Sequence, residues 1–510
     1  MSGQATLTRH NTEADASLDH VLKYTGIFGG VQGLTMLMRI VRNKLASTFL
    51  GTAGIGLMGI YISVSEFVSS TTNFGIPFSS VRRSAELYEE GNQQAVRDFV
   101  CVVRTWCVWT ALLAAITCVA CAPLLGGIYF DGDTTSMGNI ALLAPMAVAL
   151  SITNGEISIL KGTRRLKRVA TISALGSVVT LCATVPFFWA WHVRGIIVAL
   201  NVSAIAMTVL HLCFSCPIYP WRIAPFSASV FREGWQMVCI GVPYVAAAIA
   251  GSCAAMFILS MLKRYGSADD VGLYRVGYGL MVTYAGVVFS AFEADFFPRL
   301  SSLNHDVALR NKTINKQVCA CILLMTPLLI VLVVGMPLIV PLLTTSAFLP
   351  VASMATCAAF YMFLRCITLP MAYTALACGD SLLYLFVEVV YDIVSMLCIV
   401  GCYLTWGITG TGIGLSLSAL FDLILISTVY GHHYHLRIAP HTAALIVPQA
   451  LLLGAAVCTM LMLTGWVHYL VGTLLAGLSL LLSWRVLARD TAFVSTLSAK
   501  WASLRNKLHT

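Results

Sequence analysis

Charged side chains are scarce in this chain. Asp, Glu, Lys and Arg make up 10% of its 510 residues, against about 25% in a soluble globular domain. Scarcity on that scale excludes a water-facing surface over most of the molecule. A glycine-rich phosphate loop, a nucleophile motif and an ATP-binding signature are also missing, which leaves an ion gradient or consumption of a product as the source of any work done. The stretches between apolar runs, at 126–138, 263–271, 342–351 and 405–410, are all short. None holds the sizeable catalytic loop of a membrane-bound polymerase or ligase, so the sequence points away from an enzyme. Residues 1–20 (MSGQATLTRHNTEADASLDH) lack the basic start and small-residue cleavage site of a secretory signal. The first apolar run is therefore expected to be retained and the amino terminus to stay in the cytoplasm.

Apolar residues, in contrast, reach 58% and mean hydropathy is +0.84. A bilayer core needs about 20 apolar residues per helix. Fourteen runs qualify, near 22–41, 52–78, 100–125, 139–159, 169–190, 195–217, 235–262, 272–292, 317–341, 352–377, 383–404, 411–431, 443–464 and 468–487. The expected fold is an all-α polytopic membrane protein of about fourteen transmembrane helices. Net charge is +9, and in such a chain the placement of the cations decides more than their sum. With both termini cytoplasmic, that side receives Arg9, Lys23, Arg82, Arg83, Arg97, the KGTRRLKR cluster at 161–168, Arg222, Arg232, Arg299, Arg310, Lys312, Lys316, Arg437 and the cations of the tail. The other side receives only Arg39, Arg42, Lys44, Arg194, Lys263 and Arg264. The largest cluster is a short loop without interleaved aromatics, so nucleic acid is not the partner. The 17 cysteines lie mostly inside the spans; pairs such as Cys118/Cys121 and Cys213/Cys216 lack the polar loop of a zinc site and read as small core residues. No cofactor or metal is expected. HHYH at 432–435 has no carboxylate or Cys near it in sequence and reads as an interfacial cluster.

The tetrapeptide RIAP occurs at 222–225 and again at 437–440. Other matches keep nearly the same offset: GIIVALNVSA at 195–204 lies over GTGIGLSLSA at 410–419, GIGL at 54–57 over DVGL at 270–273, Gly162 near Gly379, and Pro123 over Pro337. Ordered landmarks with small indels indicate a duplication. Each copy holds six spans, an even number, so both enter the bilayer in the same orientation. Two parallel lobes follow, 21–222 (spans 1–6) and 233–440 (spans 7–12), as in transporters that rock two halves about a central site. Spans 13 and 14 occupy 441–487. The tail at 488–510, with Phe493, Leu497, Trp501, Leu504 and Leu508 on one stripe, reads as an amphipathic cytoplasmic helix.

The stretches KLASTFLGTAGIGLMGIYISVSEF (44–67), SSVRRSAELYEEGN (79–92) and VGLYRVGYGL…FFPRLS (271–301) make the chain resemble the polysaccharide transporters, the O-antigen and exopolysaccharide flippases, of the multidrug/oligosaccharidyl-lipid/polysaccharide exporter superfamily. The resemblance runs from about residue 22 to 487. It implies two six-helix lobes around a central cavity, in a bacterial inner membrane. It further implies export of a polyprenyl-pyrophosphate-linked oligosaccharide to the periplasmic leaflet, with membrane lipids, a polysaccharide polymerase and glycosyltransferases as candidate partners. Spans 13 and 14 exceed the smallest family pattern and leave room for a relative of the lipid II flippases. In those proteins the first helix brings an Arg and a following basic residue to the cavity, places that Arg39 and Lys44 occupy by resemblance.

A charge at the bilayer centre costs about 2.5 to 3.5 kcal/mol on insertion scales, and such residues face a cavity or a partner. Arg104, Arg275 and Arg365 fall inside spans; Glu66, Glu156, Glu388, Asp392 and Asp422 fall inside or near their ends. None has a charged counterpart within a residue of the 216 offset, so the scaffold was duplicated and its charges were not. A pyrophosphate needs fork-shaped cationic donors, which guanidinium supplies without losing its charge. Arg275, beside Tyr274 and Tyr278, is the leading candidate for substrate binding, with Arg39, Lys44, Arg104 and Arg365. Snorkelling to the interface is the alternative for Arg39, Arg42 and Lys44, and salt-bridge pairing is the alternative for the intramembrane charges. Glu388 and Asp392 are four apart on span eleven, one helix face, and with Glu66 and Asp422 are candidates for ion coupling. A multidrug antiporter of the same superfamily is the competing function; it would recognise cations through acidic and aromatic groups.

Overall fold

The computed structural model describes the backbone from residue 3 to residue 490, apart from 131–133, 226, 464 and most of 285–305, and most side chains from residue 34 to 486. Regular structure among these residues is helical throughout: α1 (Gly3–Thr72), α2 (Ile76–Glu89), α3 (Gln93–Phe130), α4 (Thr134–Ala141), α5 (Ala144–Gly162), α6 (Leu166–Trp191), α7 (Ile196–Ser215), α8 (Ala228–Tyr265), α9 (Ala268–Gly279), α10 (Val307–Leu343), α11 (Val351–Cys378), α12 (Ser381–His433), α13 (Pro440–Met462) and α14 (Trp466–Asp490). Of the expected 488–510 tail, residues 491–510 lie outside the described residues, as does most of the FFPRLS stretch.

The described residues contain ten helices long and apolar enough to cross a bilayer. Three of these are broken: Leu34–Thr72 at Gly51 (φ 66°), Lys167–Ser215 at His192 (φ 46°), and Ser381–His433 at Trp406–Gly407. Each break falls between two expected spans, where the chain must turn back into the membrane. The eighth expected span starts in α9 and enters the partly described stretch, so a count of fourteen is not reached among the described residues. Outer helix faces carry bare apolar side chains such as Ile116, Leu124, Leu382, Leu397, Leu451 and Leu474. In water these would be a liability; against lipid tails they are the solvent-compatible surface.

One helix was not anticipated. The charged stretch after span two folds as α2, where Arg82 and Arg83 pair with Glu86 at helical spacing and Ile76, Ser79, Ser80, Ser84 and Leu87 face inward.

The chain forms two compact units, residues 1–51 with 61–245, and residues 52–60 with 246–510. The boundary lies beyond the expected lobe ends, and the first turns of span two belong with the second unit. There they cross α9. A Cβ on Gly56 would stand 2.1 Å from the Ala268 carbonyl oxygen, and one on Gly272 would stand 2.0 Å from that of Thr52, so only glycine permits this backbone approach. Gly56 and Gly272 are duplication equivalents, as are Thr52 and Ala268; each copy makes on the other the contact it receives.

The repeated tetrapeptide has a structural role in both units. In the first, Thr105 of α3 accepts from the Ala224 N–H at 2.9 Å, and Arg104 donates to the carbonyls of Tyr219 and Pro220 at 2.8 and 2.9 Å. In the second, Asn315 of α10 accepts from the Ala439 N–H at 2.7 Å, and Arg310 donates to the Tyr434 carbonyl at 2.7 Å. Tyr434 stands 215 positions after Tyr219. RIAP is thus a helix exit whose free backbone groups are tied down by the third helix of its own half. The two clamping arginines are not at repeat-equivalent positions: Arg310 lies 206 positions after Arg104, so each half ties down its exit with an arginine from a different turn of its helix.

Candidate functional site

The second unit encloses a cavity of about 320 Å³ whose wall includes Arg275 and both tyrosines of α9, Arg365 and Tyr361 of α11, and Glu388, Tyr391, Asp392 and Ser395 of α12. Local sequence explains how each is positioned. Span eight begins with a capping box, Ser267 accepting from the Asp270 N–H at 3.2 Å while the Asp270 carboxylate accepts from the Ser267 N–H at 3.0 Å. Thr52 donates to Asp269, and the Tyr403 hydroxyl donates to Asp270 at 3.1 Å. These contacts fix the entry of α9 and hence the height of Tyr274, Arg275 and Tyr278. The Tyr274 and Tyr278 rings stack at 5.9 Å. Arg275 lies across Gly59, where a Cβ would come within 2.8 Å of its Nε.

On α11, Tyr361 and Arg365 are one turn apart, with the guanidinium carbon 5.8 Å from the ring centroid. On α12, residues 388, 391, 392 and 395 follow helical spacing, which puts a polar stripe on one face of an apolar span. Arg365 lies within electrostatic reach of Glu388, Asp392 and Asp422. The arrangement offers two guanidiniums, two carboxylates and four phenol rings around one cavity. Asp422 is buried but is not part of the wall.

Six candidates from the sequence thus converge: Arg275, Arg365, Tyr274, Tyr278, Glu388 and Asp392. Tyr361 and Tyr391 were missed, although each was signalled by a charged neighbour one helical turn or one residue away.

The first unit has a separate cavity of about 260 Å³, lined by Arg39, Arg42, Thr35, Thr153, Ser173 and His211 among others. Arg39 therefore faces a polar hollow, and Arg42 joins it. Lys44 is half-buried and does not line it. Glu66 is exposed on the same unit and lines neither cavity.

Arg104 lies elsewhere. Its Nε and one Nη donate to the Glu156 carboxylate at 2.7 and 3.0 Å, the same Nη donates to Ser215 at 3.1 Å, and the other Nη donates to the two carbonyls of the RIAP exit. A guanidinium has five N–H donors, and all are committed. Arg104 and Glu156 are each 1% exposed, with Trp221 covering the guanidinium at 4.9 Å. HHYH does have a carboxylate beside it, contrary to the local sequence: the Asp380 oxygen is 3.5 Å from His433 Nε2 and accepts from Tyr434 at 2.6 Å. Among the described residues no three His, Cys, Asp or Glu side chains form a group that could hold a metal.

The described residues form a multi-helix chain in two compact units, each with a charged cavity, and solved transporters share its fold. Lipid II flippase MurJ in an inward closed conformation has a TM-score of 0.66 at 12% identity, over 91% of this chain and 99% of that one. An inward-facing multidrug resistance MATE transporter of the MOP superfamily has 0.63 at 12%, over 79% and 94%. A MOP superfamily transporter from Pyrococcus furiosus, described by the reverse polarity of its binding pocket, has 0.53 at 14%, over 80% and 93%. At these identities the likeness is one of fold. No curated protein matches the sequence. Residues 21–304, more than half of the chain, match the family described as polysaccharide biosynthesis protein, and the chain belongs to that family.

Proposed function

We propose that this protein is a flippase that moves a polyprenyl-pyrophosphate-linked oligosaccharide from the cytoplasmic to the periplasmic leaflet of a bacterial inner membrane. Its product would feed O-antigen, capsule or exopolysaccharide synthesis. The observation that carries this reading is the convergence of Arg275 and Arg365 with Tyr274, Tyr278, Tyr361 and Tyr391 on one cavity. Guanidinium forks replace water around phosphate oxygens, and aromatic faces suit sugar rings. Family membership supports the same cargo class. Glycosyltransferases and a polymerase are the partners that such a cargo implies.

Glu388 and Asp392 stand on the same wall, and we assign ion coupling to them, with Asp422 behind Arg365. A cavity that holds both the cargo's cationic partners and a pair of carboxylates can exchange one load for the other. The same carboxylates and tyrosines favour a second reading, ion-coupled export of organic cations.

Arg275 separates the two. In a flippase-deficient host, Arg275→Ala is expected to accumulate normally and abolish surface polysaccharide, and Arg275→Lys, which keeps the charge without the fork, to restore part of it. Wild-type polysaccharide with the Ala variant at normal abundance would remove Arg275 from the site and leave the cation exporter as the better reading.

A further inference from the structure

A cleft of about 920 Å³ in the first unit belongs to neither cavity described above. It is framed by α2, the start of α3 and the start of α8, and its polar wall is Arg82, Arg83, Glu86, Arg232, Glu233 and Gln236. Arg82 and Arg83 share Glu86, each at 3.2 Å. Arg232 is exposed and has no ion-pair partner among the described residues.

The depth of the cleft in the membrane can be read from the same helix turn. Phe231 and Trp235, 48% and 55% exposed, stack at 6.2 Å, and Trp106 packs on Phe231 at 5.7 Å while donating to the Val230 carbonyl at 3.1 Å. Exposed Trp beside apolar helix faces marks the level of the lipid headgroups. Arg232 and Gln236 follow Phe231 and Trp235 by one residue each, so the arginine-lined cleft opens at headgroup depth, next to the aromatic anchor.

Charge selects the ligand. Three arginines and two glutamates leave one net positive charge, which balances a single phosphodiester and not a diphosphate. The carboxylates, which would repel a second phosphate, accept hydrogen bonds from hydroxyls. Hydrogen bonds from Arg83 and Arg82 hold the Glu86 carboxyl below its usual range. Burial pushes the Glu233 carboxyl up, with Arg83 pulling against it and Asp98 adding to it.

We propose that this cleft binds the headgroup of a monoanionic phospholipid bearing free hydroxyls, of the phosphatidylglycerol type, with its phosphate between Arg83 and Arg232 and its hydroxyls donating to Glu86 and Glu233. The bound lipid is a resident of the leaflet and not the cargo. Basic pockets at the headgroup level of helical bundles recognise such groups by charge and fork geometry.

The test uses the purified full-length protein in neutral detergent, with lipid retention read by native mass spectrometry and melting temperature measured in parallel. Dioleoyl phosphatidylglycerol should be retained with about tenfold higher affinity than dioleoyl phosphatidylcholine and should raise the melting temperature. Arg83→Gln with Arg232→Gln should erase that preference while phosphatidylcholine retention stays unchanged. Should the double variant misfold, Arg232→Gln alone carries the test, since its side chain is exposed and unpaired. Equal retention of the two lipids by the wild type, or a preference that survives substitution, would overturn the proposal. Displacement of phosphatidylglycerol by millimolar inorganic pyrophosphate would overturn it differently, by making the cleft a diphosphate site. Lipid retention is read without transport, so the result stands or falls separately from the flippase reading.

Discussion

At Gly59 one missing carbon decides where a guanidinium can lie. Its Cβ position is occupied by Arg275, with Nε at 2.8 Å and Cγ at 2.9 Å. Gly59→Ala is expected to leave folding and abundance near normal, because a flexible side chain can move aside, yet to lower export by up to about 100-fold, the cost of misplacing a positioning group by about 1 Å. Unchanged polysaccharide export would show that Arg275 acts from a different position. Arg104 calls for the opposite experiment. Removing it strands Glu156 in an apolar interior, which costs about 3–5 kcal/mol for a broken buried pair. Arg104→Ala should therefore deplete the protein from the membrane, and replacing both partners by Met and Leu should restore it. Normal abundance with lost transport would return Arg104 to the list of cargo contacts. The difference between these two arginines was not legible in the sequence. Both are lone charges in apolar helices; what separates them is that the acceptors of Arg104 include main-chain oxygens 115 and 116 residues away, which no side-chain pattern records.

Among the elements, α12 carries the clearest division of labour. Its 388–391–392–395 face lines the cavity, while Leu382, Phe386, Ile393 and Leu397 are exposed on the apolar side. Here sequence spacing was a sufficient guide, since a carboxylate pair at i and i+4 in an apolar run can share only one face. Glu388→Gln with Asp392→Asn should leave the transporter folded and remove the dependence of transport on an imposed proton or sodium gradient in proteoliposomes. Retention of full gradient dependence would make the pair structural. The breaks at Gly51, His192 and Trp406–Gly407 were also legible, because charges or glycine interrupt the apolar runs there. α2 was not, since a short charge-paired surface helix lacks the apolar run by which the spans were read.

For the molecule as a whole, orientation rests on where the cations sit. A single cysteine in the 161–168 loop, placed in a cysteine-free background, should resist an impermeant maleimide in intact cells and react after the membrane is opened. Labelling in intact cells would invert the topology and with it the direction of transport. The repeat was readable in the sequence over long distances because ordered landmarks recur at a nearly constant offset, and the two compact units do not follow the repeat boundary to the residue.

The crossing of Gly56 with Gly272 has the form of a contact between two copies of one unit. Each glycine meets the backbone equivalent to the one that its counterpart meets, the self-complementary pattern of two identical subunits around a dyad. A half-length ancestor would have formed this contact as a homodimer, where every substitution struck both copies at once. Joined in one chain, the halves would be free of that constraint, and only the second carries Arg365, Glu388 and Asp392, with apolar or neutral residues at the matching places of the first.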